Sequence, residues 1–100
     1  RIYVSHPYDG KEENKQKVEK IIKRLIEIYP HDTFISPIHA FGFLYDKVDY
    51  EIGLGWCLDL LEGCDKMYVF GDWKKSRGCQ AEVQFCENNF IDYKIMGEII

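Results

Sequence analysis

Seven consecutive residues, Ser76-Arg77-Gly78-Cys79-Gln80-Ala81-Glu82, combine groups that can seat and attack a small polar ligand. Their form is Ser-x-Gly-x-x-x-Glu. A serine before a helix caps it, and the first-turn amides then point at whatever lies above, a seat for a phosphate or a sugar hydroxyl. Gly78 and Glu82 are four residues apart and therefore share one helical face. With no side chain at Gly78, a ligand can rest on the backbone while Glu82 reaches it from one turn deeper. A carboxylate so placed can attack an anomeric carbon and form a glycosyl-enzyme ester, as in retaining glycosidases. The same spacing also describes a capped helix that carries an exposed glutamate, because short patterns are not specific alone.

The elements that must position these groups follow from periodicity and punctuation. Ile2-Tyr3-Val4 reads as a buried strand, broken by the loop His6-Pro7-Tyr8-Asp9-Gly10. Val18, Ile21, Ile22, Leu25, Ile26 and Tyr29 give an amphipathic helix over Lys11–Tyr29, ended by Pro30. Thr33–Ser36 is a second strand, closed by Pro37. Ile38–Lys47 lacks a clean period and reads as loop with one helical turn. Asp49 caps a helix to about Glu62, with Ile52, Trp56, Leu60 and Cys64 along one stripe and Trp56 in the core. Lys66–Phe70 is the clearest strand. After the polar loop Asp72–Ser76, a helix runs from Arg77 or Gly78 to about Asn88, with Cys79, Val83, Cys86 and Phe90 buried. Tyr93–Met96 is a last strand, and Gly97–Ile100 begins a tail or an edge contact.

Strand and helix alternate four times, which predicts one α/β domain over residues 1–100. The architecture is a flavodoxin- or Rossmann-like three-layer fold: a parallel sheet of about four strands, order 2-1-3-4, with helices on both faces. Ligands of such sheets gather at the carboxyl ends of the strands where the order reverses. The reversal lies between the first and third strands. Ser5–Gly10 and Gly71–Gly78 meet there, with Ser36–His39 at the side. Beside Glu82, this singles out Ser5, Pro7, Tyr8, His39, Asp72, Ser76, Arg77 and Gly78. Arg77 suits a phosphate through its guanidinium, and Trp73, beside Lys74 and Lys75, reads as an exposed contact residue.

Composition narrows the function classes. Thirteen basic against seventeen acidic side chains give a net charge of −4, which disfavours a nucleic-acid backbone as partner. No apolar run approaches the roughly 18 residues of a membrane span, and Arg1–Ser5 is too short and polar-flanked for a signal peptide. Cys57, Cys64, Cys79 and Cys86 form no Cys-x-x-Cys pair, so they read as reduced core thiols of a cytoplasmic protein, not as a metal site. A phosphoacceptor reading fails because only Asp9 follows the first strand. Gly53-Leu54-Gly55 lies inside a helix and lacks the third glycine of a dinucleotide fingerprint.

Taken in order, Ile2-Tyr3-Val4-Ser5-His6-Pro7-Tyr8, Cys64-Asp65-Lys66-Met67-Tyr68-Val69-Phe70-Gly71 and Ser76-x-Gly78-x-x-x-Glu82 span nearly the whole chain. Together they resemble the nucleoside 2-deoxyribosyltransferase-like superfamily, which includes the 2′-deoxynucleoside 5′-phosphate N-glycosidases, and in particular its small members encoded by bacteria and their phages. The resemblance implies hydrolysis or exchange of an N-glycosidic bond of a nucleoside or nucleoside monophosphate. It implies Glu82 as nucleophile, Ser76 and Gly78 as holders of the sugar or its 5′-phosphate, and Tyr8 beside the nucleophile. No cofactor or metal is implied, and the partner expected is a second copy of the chain, in a homodimer or larger assembly. One departure stands out. Catalytic members carry an aspartate eight residues before the one that opens the third strand, and counting back from Asp65 reaches Cys57. Asp49, Asp59, Asp72 and His39 are the candidate replacements. A non-catalytic module that binds a nucleotide-like ligand, a sensor or sponge, is the competing expectation.

Overall fold

The computed structural model describes residues 1–97. Its sheet has four parallel strands in the order β2-β1-β3-β4, as the alternation predicts. They are β1 (Ile2–Ser5), β2 (Phe34–Ile35), β3 (Lys66–Phe70) and β4 (Asp92–Gly97). The helices are α1 (Glu12–Ile28), α2 (Pro37–Phe41), α3 (Tyr50–Glu62) and α4 (Arg77–Asn88). Short 3-10 turns follow α2 at Gly42–Leu44 and precede α4 at Trp73–Lys75.

The central strands read as unbroken apolar runs because both of their faces are covered. All four residues of β1 are buried. Its alternation sends Ile2 and Val4 to one face, where they pack with Val18, Ile21 and Leu25 of α1, Ile38 of α2, and Tyr68 and Phe70 of β3. Tyr3 takes the opposite face with Met67 and Val69, beneath Leu61 of α3 and Val83 and Cys86 of α4. Ser5 shares the parity of Tyr3. One strand thus separates an apolar core from the face on which α4 brings its glutamate.

Several boundaries differ from expectation, each for a local reason. β2 is only two residues long, because Ser36 leaves the strand to cap α2 and Pro37 occupies its first turn. The stretch expected as loop therefore holds α2 and a 3-10 turn. In α3 the buried residue is Leu61, not the expected Ile52-Trp56-Leu60 stripe; Ile52 is 49% exposed. Trp56 is half-buried and stacks obliquely on Phe41, their ring centroids 5.7 Å apart. Trp73 is not an exposed aromatic but packs against the core below α4. Phe90 lies beyond the end of α4, in left-handed backbone at φ 58°, which throws it off the buried stripe and leaves it 95% exposed. Gly97 closes β4, and the remainder of the expected tail lies outside the described residues.

Gly71 links the two halves of the sheet's reversal. Its φ of +74° favours glycine, and a Cβ there would stand 3.1 Å from both His6 Nε2 and Pro7 Cδ. The loop after β1 is therefore seated directly on the turn after β3.

Leu25 is fully buried, so Leu25→Ala should lower unfolding free energy by about 2–5 kcal/mol in urea titrations.

Candidate functional site

A cavity of about 500 Å³ opens at the carboxyl ends of β1 and β3, within the size range of small-molecule sites. Four segments wall it. The β1–α1 loop contributes His6, Tyr8 and Asp9; the α2 region, Pro37, Ile38, Phe41 and Gly42; α3 and its approach, Val48, Asp49, Tyr50, Trp56 and Cys57; the start of α4, Lys75, Ser76, Arg77, Gly78 and Cys79. Glu82 also lines it, although only 5% of the residue is exposed.

The environment of Glu82 follows from strand parity. Tyr3 and Ser5 are two residues apart on β1 and project to the α4 face. The Tyr3 hydroxyl donates to Oε2, and the Ser5 hydroxyl donates to Oε1 at 2.7 Å. Two neutral donors hold the carboxylate, and each oxygen keeps a second lone pair for other chemistry. Burial raises the Glu82 pKa to about 7, outweighing the two hydrogen bonds that lower it. The effect spreads outward. Burial and then the Glu82 charge push the Tyr3 phenol well above its ordinary value. They also raise the thiols of Cys57 and Cys79 to about 11. All four cysteines are free, and these two remain thiols at neutral pH, poor nucleophiles and poor metal ligands. Among the described residues no group of three or more His, Cys, Asp or Glu is placed to hold a metal ion.

The start of α4 is built as its sequence suggests. Ser76 is its N-cap, and its Oγ accepts the Cys79 backbone N–H at 3.2 Å. Arg77 lays its guanidinium over the Tyr50 ring, 4.3 Å from the centroid. A Cβ on Gly78 would meet only Tyr50 Oη at 3.7 Å and Ser76 Oγ at 3.9 Å, ordinary contact distances. Among the described residues, no contact demands a glycine there. What its missing side chain enlarges is the cavity.

The sequence-derived candidates divide cleanly. Glu82, Tyr8, Ser76, Arg77 and Gly78 meet in the cavity. Tyr8 packs edge-on against Tyr45, with centroids 5.2 Å apart, and donates to the Gly42 carbonyl at 3.3 Å. Ser5 does not line the cavity; it sits beneath, holding Glu82. Pro7 packs toward Gly71 instead of the opening. His39 is spanned by Ser36 Oγ at Nδ1 and Glu19 at Nε2, both at 2.8 Å, which ties its ring to α1. Asp72 is exposed and pairs with Lys75 at 3.5 Å. Of the four candidate replacement acids, Asp49 alone lines the cavity; Asp59, Asp72 and His39 do not.

Sequence reasoning named neither Tyr3, Phe41 nor Tyr50 as a site residue, and it placed Asp9 only within the loop Ser5–Gly10. The signal for Tyr3 was present: a tyrosine inside a buried strand needs a partner for its hydroxyl, and Ser5 shares its face. Asp9 and Tyr50 join the cavity through loop and helix placement, which periodicity does not encode.

Residues 1–96 match the family model described as a domain of unknown function, DUF7768. No curated protein and no solved structure matches the chain. Among the described residues, no helix is long and apolar enough to cross a membrane.

The raised Glu82 pKa has a consequence for stability. Below about pH 4.5 both folded and unfolded chains hold this proton. Between there and about 7 only the folded chain does, so stability falls as pH rises, and it levels off above. Wild type should therefore lose, relative to Glu82→Gln, on the order of 3 kcal/mol between the two limits. Paired denaturation curves at pH 5 and pH 8 measure this; parallel losses in the two proteins would contradict it.

Proposed function

We propose that this chain, which belongs to the family described as a domain of unknown function (DUF7768), cleaves or exchanges the N-glycosidic bond of a nucleoside or nucleoside monophosphate. The observation that carries the reading is the buried Glu82 carboxylate, held by Tyr3 and Ser5 and lining a ligand-sized cavity beside the capped start of α4. The order of the three sequence segments that resemble deoxyribosyltransferases supports the same reaction.

Each part has a chemical task. Ser76 and the amides of the first α4 turn hold the sugar or its phosphate, with room provided by Gly78. Arg77, fixed on Tyr50, supplies positive charge at the rim. The aromatic residues Tyr8, Phe41, Trp56 and Tyr50 offer faces for a base. Tyr3 and Ser5 fix both Glu82 oxygens so that a remaining lone pair meets the anomeric carbon. In the first displacement the Glu82–carbon bond forms as the carbon–nitrogen bond breaks, its electron pair leaving with the base. In the second, water or an acceptor base displaces Glu82, which leaves as carboxylate.

One feature favours the second reading, a module that binds such a ligand without turning it over. Cys57 occupies the position where the resembled enzymes have an acid, and burial pushes its thiol pKa up to about 11, so it stays protonated at neutral pH.

Incubation with a panel of deoxynucleosides and their monophosphates, followed by chromatography of free base, separates the readings. The enzyme reading expects base release that Glu82→Gln reduces at least ~10³-fold. It also expects a rate that climbs with pH through about 7, because the attacking carboxylate must be ionised. Saturable binding without release would select the module, and neither binding nor release would reject both.

Phe43, Tyr45, Tyr50 and Ile52 are exposed to solvent, Tyr45 and Tyr50 at the cavity wall. A second copy of the chain is the partner we propose for this face. Light scattering at micromolar protein should give at least a dimer mass; a monomer mass overturns the assignment.

A further inference from the structure

We infer that the substrate of this cavity is an N-ribosylpyridinium phosphate, a nucleotide whose base is positively charged at the nitrogen bonded to the sugar. The inference rests on the N-glycosidic reading above and names its substrate class. Two properties of the cavity carry it: the charges and rings on its wall, and the hold that the groups around Glu82 keep on their protons.

The wall bears charges of both signs. Lys75 and Arg77 flank the Ser76 cap, so a phosphate at the start of α4 meets two cations as well as the first-turn amides. Arg77 stacks its face on Tyr50, which leaves the N–H edge of the guanidinium for that phosphate. The exposed Asp9 and Asp49 add two carboxylates to that of Glu82. The rings of Tyr8, Phe41, Tyr50 and Trp56 complete the lining. Aromatic faces attract a cationic ring, and carboxylates do the same. The wall already seats one planar cation in this way, the Arg77 guanidinium 4.3 Å from the Tyr50 centroid. Phe41 and Trp56, with centroids 5.7 Å apart, offer a second pair of rings to the base. A pyridinium nucleotide carries the matching pattern, an anionic phosphate and a cationic ring.

The groups around Glu82 point to the same class. Tyr3, Tyr50, Cys57 and Cys79 all feel its charge, and burial is the foremost cause that raises the pKa of each, the two thiols to about 11. A neutral nucleobase leaves as an anion unless it receives a proton as its bond breaks, and these groups release theirs poorly. A pyridinium needs none. As the Glu82–carbon bond forms, the carbon–nitrogen electron pair passes to the ring nitrogen and cancels its charge, so the base departs neutral. Water then bonds to the anomeric carbon, Glu82 leaves as carboxylate, and one proton of that water passes to solvent. Each turnover yields one free base and one proton.

The test adds nicotinamide mononucleotide and its reduced, dihydropyridine form to the neutral-base monophosphates of the panel. The oxidised form should release base with kcat/KM at least ~10²-fold above any neutral-base monophosphate, with one proton per base in weak buffer. Glu82→Gln should abolish that release. Calorimetry on Glu82→Gln should show the oxidised form binding ~10-fold tighter than the reduced one, which has nearly the same shape without the charge. Combining Asp9→Asn and Asp49→Asn should narrow that ratio. Release from a neutral-base monophosphate as fast as from the oxidised form would overturn the assignment while leaving the glycosidic reading intact. Equal binding of the oxidised and reduced forms would do the same. Base release from no compound of either class would overturn the glycosidic reading and this inference together.

Discussion

The hydrogen bonds from Tyr3 and Ser5 to Glu82 join the middle of the sheet to the helix that faces the cavity. They are the constraint on which the rest turns. A carboxylate removed from water is costly unless it is neutralised or supplied with donors. Here the donors are neutral hydroxyls, so the group is oriented without being locked into its ionised form. A guanidinium in the same place would fix the charge and hold the pKa low. The hydroxyl arrangement keeps Glu82 near the midpoint of its titration at neutral pH. Burying this side chain also commits β1 to its register, because a slip of one residue would turn Tyr3 and Ser5 to the α1 face.

The division of labour across the sheet follows from that commitment. The α1 face is an apolar core built on Ile2, Val4, Leu25 and Phe70. The opposite face mixes hydrocarbon with thiols and hydroxyls, where Cys79 and Cys86 fill space as small apolar groups around the carboxylate. The cysteines therefore add little polarity to the neighbourhood that raises the Glu82 pKa. Electrostatics and packing are one design on this face.

Much of the fold was legible in the sequence, and the reason is physical. β1 and β3 are covered on both sides and read as apolar runs, while α1 and α4 keep one apolar stripe each, so their type and order emerge directly. The strand order followed from handedness alone. Phe41 and Trp56 were harder to place because they pack on each other at the cavity wall, not in a core with a period. The serine–glycine–glutamate spacing located the start of α4 and its acid correctly. His39 and Asp72 failed as site residues because a strand-end position says nothing of which partner captures a side chain; Glu19 and Lys75 captured these two. Asp9 lay in a loop expected at the site, but which side chains of that loop line the cavity depends on its left-handed backbone at Asp9 and Gly10.

The way α3 is attached has a dynamic consequence. Leu61, near its last turn, is its fully buried residue, whereas the first turns carry exposed Ile52 and two glycines, Gly53 and Gly55. Glycine inside a helix costs about 1 kcal/mol relative to alanine. The helix is thus anchored at one end and weakly held at the other, and local opening is cheapest where burial is least. The loosely held end is the one that carries Tyr50, and with it the perch of Arg77. Entry to the interior can therefore proceed by fraying of this helix, while the sheet and its buried acid stay still.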